Sequence, residues 1–242
     1  MTRVRSSVLI AILMATMATM ATMAAAPASA QAPDKKVTVN LGGGYTASLS
    51  DVRDYLGDGY NVNFGVTINL TETVGFQAEY SFTGLGQKRI SLPVAGAPGG
   101  STTPTDFYGD MNMQYGDFNL VFKPNTGGKA RPYVVAGVGV YYRPVKVTTP
   151  AVGYVPPFCS PWWYYCSPGG FVPVDKIVGS RSSTDFGMDF GGGVDIAMTD
   201  AASFYFEARY HYIWGPTFTD PTTSTERKAT GQFFPITFGF RF

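Results

Sequence analysis

Large apolar side chains occupy every second position over the last nine residues of the chain. Counting back from the C-terminus, they are Phe242, Phe240, Phe238, Ile236 and Phe234. Because successive side chains of a β-strand point to opposite faces, this spacing predicts a strand with one continuous apolar face. The opposite face carries small or polar residues, namely Thr237, Gly239 and Arg241.

The same alternation recurs in seven earlier segments of the chain. They span residues 37–49, 60–70, 74–83, 111–123, 133–143, 186–198 and 203–214. In segment 111–123, Met113 and Tyr115 fall out of phase, which predicts a bulge near Gly116. Each segment is near or above the ~9–11 residues that a tilted strand needs to cross a bilayer. The pattern therefore predicts eight strands, each with one apolar face.

Two architectures are compatible with eight such strands. A soluble β-sandwich turns its apolar faces inward, whereas a membrane barrel turns them outward to lipid. Aromatic residues such as Tyr60, Tyr142 and Trp214 stand at the ends of the apolar faces, as in the interfacial girdles of membrane barrels. The opposite faces are rich in glycine, which suits a narrow interior. We therefore expect an all-β fold, an eight-stranded antiparallel up-and-down transmembrane β-barrel.

The connections between the predicted strands alternate between short and long. The long ones span about 50–59, 84–110, 144–185 and 215–230. Bacterial outer-membrane barrels combine short periplasmic turns with long external loops. The pattern therefore predicts that both termini are periplasmic and that the four long connections are external.

The first thirty residues have the features of a secretory signal peptide. Arg3 and Arg5 precede an apolar run over 8–26, and Ala28-Ser29-Ala30 is a small-x-small cleavage pattern. A retained membrane anchor is the disfavoured alternative, because threonines dilute the run. We predict a signal peptide over 1–30 and a barrel domain over 31–242. Removing the leader lowers the number of Lys and Arg residues from 18 to 16, against 17 acidic residues. The net charge of the mature chain is then near −1, which does not predict a nucleic-acid partner.

Three stretches resemble the small outer-membrane barrel families, of the OmpA type and the OmpX/Opa type. They are the segment 131–139, the hairpin over 191–210 and the aromatic ending at Phe242. The resemblance implies the outer membrane of a Gram-negative-type bacterium, with outer-membrane lipid and lipopolysaccharide as partners. It also implies that Phe238, Phe240 and Phe242 form an assembly signal for the outer-membrane insertion machinery, although Pro235 and Thr237 depart from the usual pattern. It does not imply one function.

Nine charged or titratable side chains are predicted to point into the barrel interior. They are Glu79, Asp117, Arg143, Asp189, Asp195, Glu207, Arg209, His211 and Arg241. Buried charges are costly when isolated, so we expect an ion-pair network that closes the barrel. The alternative is a gated path for small solutes, with Glu207 and Arg209 or Arg241 as the gate. His211 has no serine motif or metal-ligand pair beside it, so we predict no catalytic residue, cofactor or metal, and a lipid-modifying enzyme is the least favoured alternative.

The third long connection holds both cysteines of the chain. Cys159 and Cys166 in a secreted protein predict a disulfide, and Trp162, Trp163, Tyr164 and Tyr165 lie between them. These aromatics either rest on the barrel mouth or on lipopolysaccharide, or they recognise an extracellular protein or glycan. The sequence thus favours a structural or surface-interaction role through the external loops, with a narrow porin-like passage as the alternative.

Overall fold

The computed structural model describes residues 36–95, 102–124, 126, 128–219 and 224–242, and the predicted signal peptide lies outside these ranges. Eight strands form a closed barrel: β1 (Val37–Ser48), β2 (Gly59–Asn69), β3 (Val74–Ala95), β4 (Thr102–Phe122), β5 (Ala130–Val155), β8 (Gly170–Ala197), β9 (Ser203–Ile213) and β12 (Gly231–Arg241). Each pairs with its neighbour in the chain, and all pairs are antiparallel. The ring closes where β12 pairs with β1, from Asn40–Arg241 to Ser48–Phe233. The predicted eight-stranded barrel is confirmed.

The apolar faces of the strands point outward. Phe206 is 44% exposed, whereas its neighbour Glu207 is 2% exposed and points into the interior. The same alternation holds along β12, where Phe238 and Phe240 are exposed while Thr237 and Arg241 are buried. A sandwich would bury the apolar set, so the exposed apolar belt is the arrangement expected for a barrel surrounded by lipid.

Two of the long connections are largely β-structure rather than loop. Strands β3 and β4 continue beyond the barrel wall as a hairpin that pairs as far as Ala95 and Thr102. Strands β5 and β8 continue further, and their ladder reaches Val155 and Gly170. β-Branched residues such as Val145, Val147 and Val152 suit this extended conformation. We call this second extension the β5–β8 hairpin.

Shorter elements complete the connections on the same side. The connection after β1 contains a one-turn helix at Val52–Tyr55, and that after β9 contains β10 (Thr217–Thr219) paired with β11 (Glu226–Lys228). The β5–β8 hairpin ends in β6 (Phe158–Ser160), a 3₁₀ turn (Pro161–Trp163) and β7 (Tyr165–Ser167). We call this side of the barrel the hairpin end, and the opposite side, with its short connections, the turn end. No helix in the described ranges is long and apolar enough to span a membrane.

The predicted bulge near Gly116 is wrong. The register between β3 and β4 runs unbroken from Val74–Phe122 to Leu85–Met111, and the irregularity falls beyond it, between Leu85 and Lys88. Met113 and Tyr115 point into the interior and are buried there. They break the alternation because the part of the interior that they reach is apolar, and not because the strand is distorted.

Candidate functional site

The barrel interior contains a cluster of charges centred on Arg209. Its Nε donates a 2.6 Å hydrogen bond to Oε1 of Glu207. Its Nη1 lies 3.3 Å from Oε1 of Glu79, 3.5 Å from Oδ2 of Asp117 and 3.8 Å from Oδ2 of Asp189. One guanidinium is therefore shared by four buried carboxylates, and we call these five residues the central cluster.

The strand register places these residues together. Inward positions alternate along β9, so Glu207, Arg209 and His211 share one line on the interior wall. Glu79 and Asp117 face each other across the β3–β4 pair. Opposite Glu207 on β8 stands Gly193, where a Cβ would lie 2.6 Å from the Tyr133 hydroxyl. Glycine thus leaves room for that hydroxyl, which donates to Oε2 of Glu207 at 2.8 Å.

A second ionic group lies towards the turn end. Arg241 donates to Asp195 through Nη1 at 2.6 and 2.5 Å, and its Nη2 lies 3.6 Å from Oε2 of Glu207. Its guanidinium stacks over the rings of Tyr133 and Tyr205, at 4.5 and 4.8 Å from the ring centroids. This group therefore joins the central cluster through Glu207.

Apolar side chains fill the interior at the hairpin end. The buried members of this apolar layer are Leu56, Leu85, Met111, Met113, Tyr115, Tyr141, Ile213 and Phe233. The rings of Tyr115 and Tyr141 stack with centroids 4.9 Å apart. This layer was not predicted from the sequence. Its only visible sign there was that Met113 and Tyr115 are apolar at positions where the alternation places polar residues. The layer lies between the central cluster and the hairpin end of the barrel.

Two of the nine predicted interior residues, His211 and Arg143, belong to neither of these two ionic groups. His211 meets the apolar layer, with Nδ1 2.8 Å from the Tyr141 hydroxyl and its ring edge-on to Tyr115. Arg143 lies at the hairpin end, where its Nη2 donates to Oδ2 of Asp185 at 2.6 Å and to the carbonyl of Ala229 at 3.2 Å. The prediction that Arg143 belongs to the same network is wrong, because Arg143 is too far along β5 to reach Arg209's partners.

The tip of the β5–β8 hairpin is closed by a disulfide. Cys159 and Cys166 pair across β6 and β7 with an S–S distance of 2.03 Å. Between them, Trp162 is 90% exposed and Tyr164 is 97% exposed. The side chains of Trp163 and Tyr165 are not among those that the structure describes. The described aromatics of the tip therefore point to solvent and do not cover the barrel mouth.

The connection over 50–59 is held against the barrel rim by Asp58. The Tyr45 hydroxyl donates to Oδ2 of Asp58 at 2.5 Å, and the Ser48 N–H donates to Oδ1 at 2.8 Å. Partial burial alone would raise the pKa of the Asp58 carboxyl, but these two hydrogen bonds and the nearby Arg53 and Lys88 hold it below its ordinary value. The ionised carboxylate is thus the form that keeps this connection docked.

The predicted assembly residues lie on the outer surface of β12. Phe238 pairs with Phe206 and Phe240 with Phe204 across the β9–β12 ladder, and the rings of Phe204 and Phe240 are 5.8 Å apart. The Phe242 ring lies 6.4 Å from that of Phe240. The three phenylalanines form one apolar ridge beside the seam where the barrel closes.

Several solved structures are similar to this chain at low sequence identity. Neisserial surface protein A is 14% identical, with a TM-score of 0.49, 86% of this chain covered and 96% of that one. The outer membrane protein OprG from Pseudomonas aeruginosa is 13% identical, with a TM-score of 0.46 and coverages of 86% and 96%. The attachment invasion locus protein Ail of Yersinia pestis is 14% identical, with a TM-score of 0.40 and coverages of 86% and 100%.

A search of the curated proteins gives no significant match. The sequence model of the outer membrane protein beta-barrel domain family matches residues 16–242. This match covers nearly the whole chain, including all eight barrel strands. The resemblance inferred from the sequence is confirmed, and the chain belongs to the outer membrane protein beta-barrel domain family.

Proposed function

We propose that this outer-membrane barrel acts at the cell surface, with the β5–β8 hairpin as its interaction element and the barrel as its anchor. The observation that carries the proposal is the exposure of Trp162 and Tyr164 at a tip closed by the Cys159–Cys166 disulfide. Exposed tryptophan and tyrosine are the residues most often responsible for binding energy at interfaces. A tip fixed by a disulfide loses little conformational entropy when it binds.

The length of the hairpin supports the same role. Beyond Arg143, strand β5 continues for twelve residues, from Pro144 to Val155, which corresponds to roughly 40 Å of strand. Further apolar side chains of the β5–β8 hairpin are exposed, including Tyr154 on β5 and Phe171 on β8, whose rings meet edge to face at 5.5 Å. A hairpin of this length carries its tip well clear of a membrane surface.

The proposal includes an orientation. The hairpin end faces the exterior and the turn end, where β1 begins and β12 ends, faces the periplasm, as in barrels with short periplasmic turns. The residues near the rim of the barrel then contact lipopolysaccharide, and the tip is free for an extracellular protein or glycan. The ridge of Phe238, Phe240 and Phe242 serves the insertion machinery before it faces lipid.

The test compares wild-type barrel with a Trp162→Ala/Tyr164→Ala double variant. Both are refolded in detergent and applied to a glycan array and to immobilised extracellular-matrix proteins. We expect the wild type to bind one class of glycan or matrix protein, and the variant to bind it with an affinity at least about tenfold lower. Truncation of an anchor residue typically costs about 2 kcal/mol or more of binding free energy. Phe218→Ala, an exposed aromatic on β10, is the matched control and should bind as the wild type does. Equal binding by the double variant would contradict the proposal.

A narrow passage for small solutes is the second candidate, and the polar interior around Glu207 and Arg209 favours it. The apolar layer opposes it, because an eight-stranded barrel leaves an interior only wide enough for its own side chains. In planar bilayers we expect no steady conductance from the wild type. A conductance that Glu207→Ala changes would support the passage instead.

A further inference from the structure

Three potential metal ligands from three strands meet beside Arg209. They are Asp117 on β4, Asp189 on β8 and His211 on β9, all buried, with one ligand atom of each within 4.8 Å of the other two. Asp189 and His211 stand directly opposite each other in the β8–β9 ladder. Because the closed barrel fixes all three backbones, the geometry of the group does not depend on a mobile loop.

Several buried polar atoms of this group have no hydrogen-bond partner in the described part of the chain. Nδ1 of His211 meets the Tyr141 hydroxyl, whereas its Nε2 has no hydrogen-bond partner in the described part of the chain. Neither carboxylate oxygen of Asp189 has one there either. His211 is 2% exposed and Asp189 3% exposed, so water outside the barrel does not satisfy these atoms. Buried polar atoms left in this state carry a desolvation penalty that a bound ligand would remove.

The charges around the group are also out of balance. The four carboxylates that surround Arg209 belong to Glu79, Asp117, Asp189 and Glu207. A second guanidinium, that of Arg241, approaches Glu207 but binds Asp195 more closely. Four carboxylates therefore share the Arg209 guanidinium, and only Glu207 among them also contacts that of Arg241. Asp117 and Asp189 have no ion pair in the described part of the chain other than the one with Arg209, at 3.5 and 3.8 Å.

We propose that Asp117, Asp189 and His211 bind one divalent transition-metal ion of the Zn²⁺ type. Two carboxylate oxygens and one imidazole nitrogen are ligands that Zn²⁺ accepts at about 2.0–2.2 Å, so binding would require the three side chains to bring these atoms closer together than the 4.8 Å within which they lie. Ca²⁺ and Mg²⁺ prefer oxygen ligands alone, and the imidazole therefore favours a transition metal. A bound ion of charge +2 would stabilise the ionised carboxylates of Asp117 and Asp189, which otherwise share one guanidinium.

The neighbours of the group suit this role. A His211 imidazole that coordinates through Nε2 carries its proton on Nδ1 and donates it to the Tyr141 hydroxyl, which fixes the ring. The Asn119 amide donates to Oδ1 of Asp117 at 3.0 Å and holds that carboxylate. Tyr141 and Asn119 are positioning residues in this arrangement. Because the apolar layer lies between the group and the hairpin end, the ion enters while the barrel folds.

The test measures zinc uptake during refolding. Untagged protein is refolded into detergent with Zn²⁺ or with a chelator, desalted, and assayed for zinc per folded chain, with heat-modifiable gel mobility as the measure of folding. We expect one zinc per chain when Zn²⁺ is present during folding, and much slower uptake by a barrel folded beforehand. His211 is the only histidine of the chain, so a zinc-dependent change in the imidazole ¹⁵N resonances reports on this site alone.

Matched variants identify the ligands. Asp189→Asn and His211→Gln should fold and lose the zinc, whereas Glu79→Gln, another buried carboxylate on Arg209, should keep it. Tyr141→Phe should weaken binding by about 10–100-fold, as loss of such a supporting hydrogen bond does. If His211→Gln does not fold, the nearly isosteric Asp189→Asn decides. Folded wild type that takes up no zinc, or equal zinc in Asp189→Asn and wild type, would overturn the proposal and indicate that water or protons satisfy the group.

Discussion

Arg209 and Glu207 lie two residues apart on the same face of β9, and their side chains share a 2.6 Å hydrogen bond. This leaves the rest of the Arg209 guanidinium free to reach across the interior to Glu79 on β3. A single side chain therefore links walls that are not neighbours in the sheet. These contacts connect opposite walls of the barrel through its interior.

The stability of the folded barrel should depend strongly on Arg209, the shared cation of the central cluster. Arg209→Met leaves four buried carboxylates without their shared cation, and we expect a loss of about 3–5 kcal/mol in the free energy of unfolding. The measurement is urea unfolding followed by gel mobility. Arg181→Met, which removes an exposed arginine of the β5–β8 hairpin, should change little. Similar stability of the two variants would mean that the cluster contributes little to folding.

The apolar layer should insulate the interior. Tyr115→Ala removes a ring that stacks on Tyr141, and the resulting gap opens the hairpin end towards the central cluster. We expect this variant to show ion conductance in planar bilayers while the wild type does not. The control is Phe118→Ala, an aromatic truncation on the outward face of the same strand. If neither variant shows ion conductance, side chains other than Tyr115 also close the interior.

The outward face of β9 should tolerate no charge. Phe206→Arg places a guanidinium in the apolar belt, and a charge at this depth costs about 2–4 kcal/mol of folding free energy in lipid. Phe218→Arg, on β10 outside the barrel ring, should cost far less. Refolding yields in lipid vesicles measure the difference. A harmless Phe206→Arg would contradict the assignment of this face to lipid.

The connection over 50–59 should loosen in acid. A carboxyl whose pKa is lower in the folded than in the unfolded chain stabilises above its unfolded pKa of about 3.9, and that contribution disappears as the pH falls through the lower folded value. Since Asp58 is largely exposed, the effect is local. At pH 7, Asp58→Asn should speed amide exchange over 52–57 and leave global unfolding unchanged. The control, Asp51→Asn, should leave amide exchange over 52–57 unchanged, because the Asp51 side chain makes no capping hydrogen bond.

The alternation of apolar and polar residues predicted the eight strands, because strand periodicity is local. The aromatic ends of the apolar faces and the glycine-rich opposite faces then favoured a barrel with its apolar faces outward over a sandwich. Side-chain partners were harder to predict, since they depend on the height of each residue in the closed ring. Arg143 and Arg209 both point inward, yet they lie at different levels and contact different acids. The apolar layer was missed for the same reason. Met113 and Tyr115 were interpreted as a local irregularity when they belong to a layer drawn from several strands.

Arg241, the second-last residue, completes its contacts only when β12 reaches both of its neighbours. Its partners Asp195 and Tyr133 belong to β8 and β5, and its strand pairs with β1 and β9. Before the ring closes, we expect the interior carboxylates to be hydrated and to oppose burial of the chain in lipid. The carboxylates would then lose their hydration at the same step in which β12 pairs with β1 and closes the ring. We therefore expect a chain that lacks β12 to keep these carboxylates in water, and not to behave as a slightly weakened version of the finished barrel.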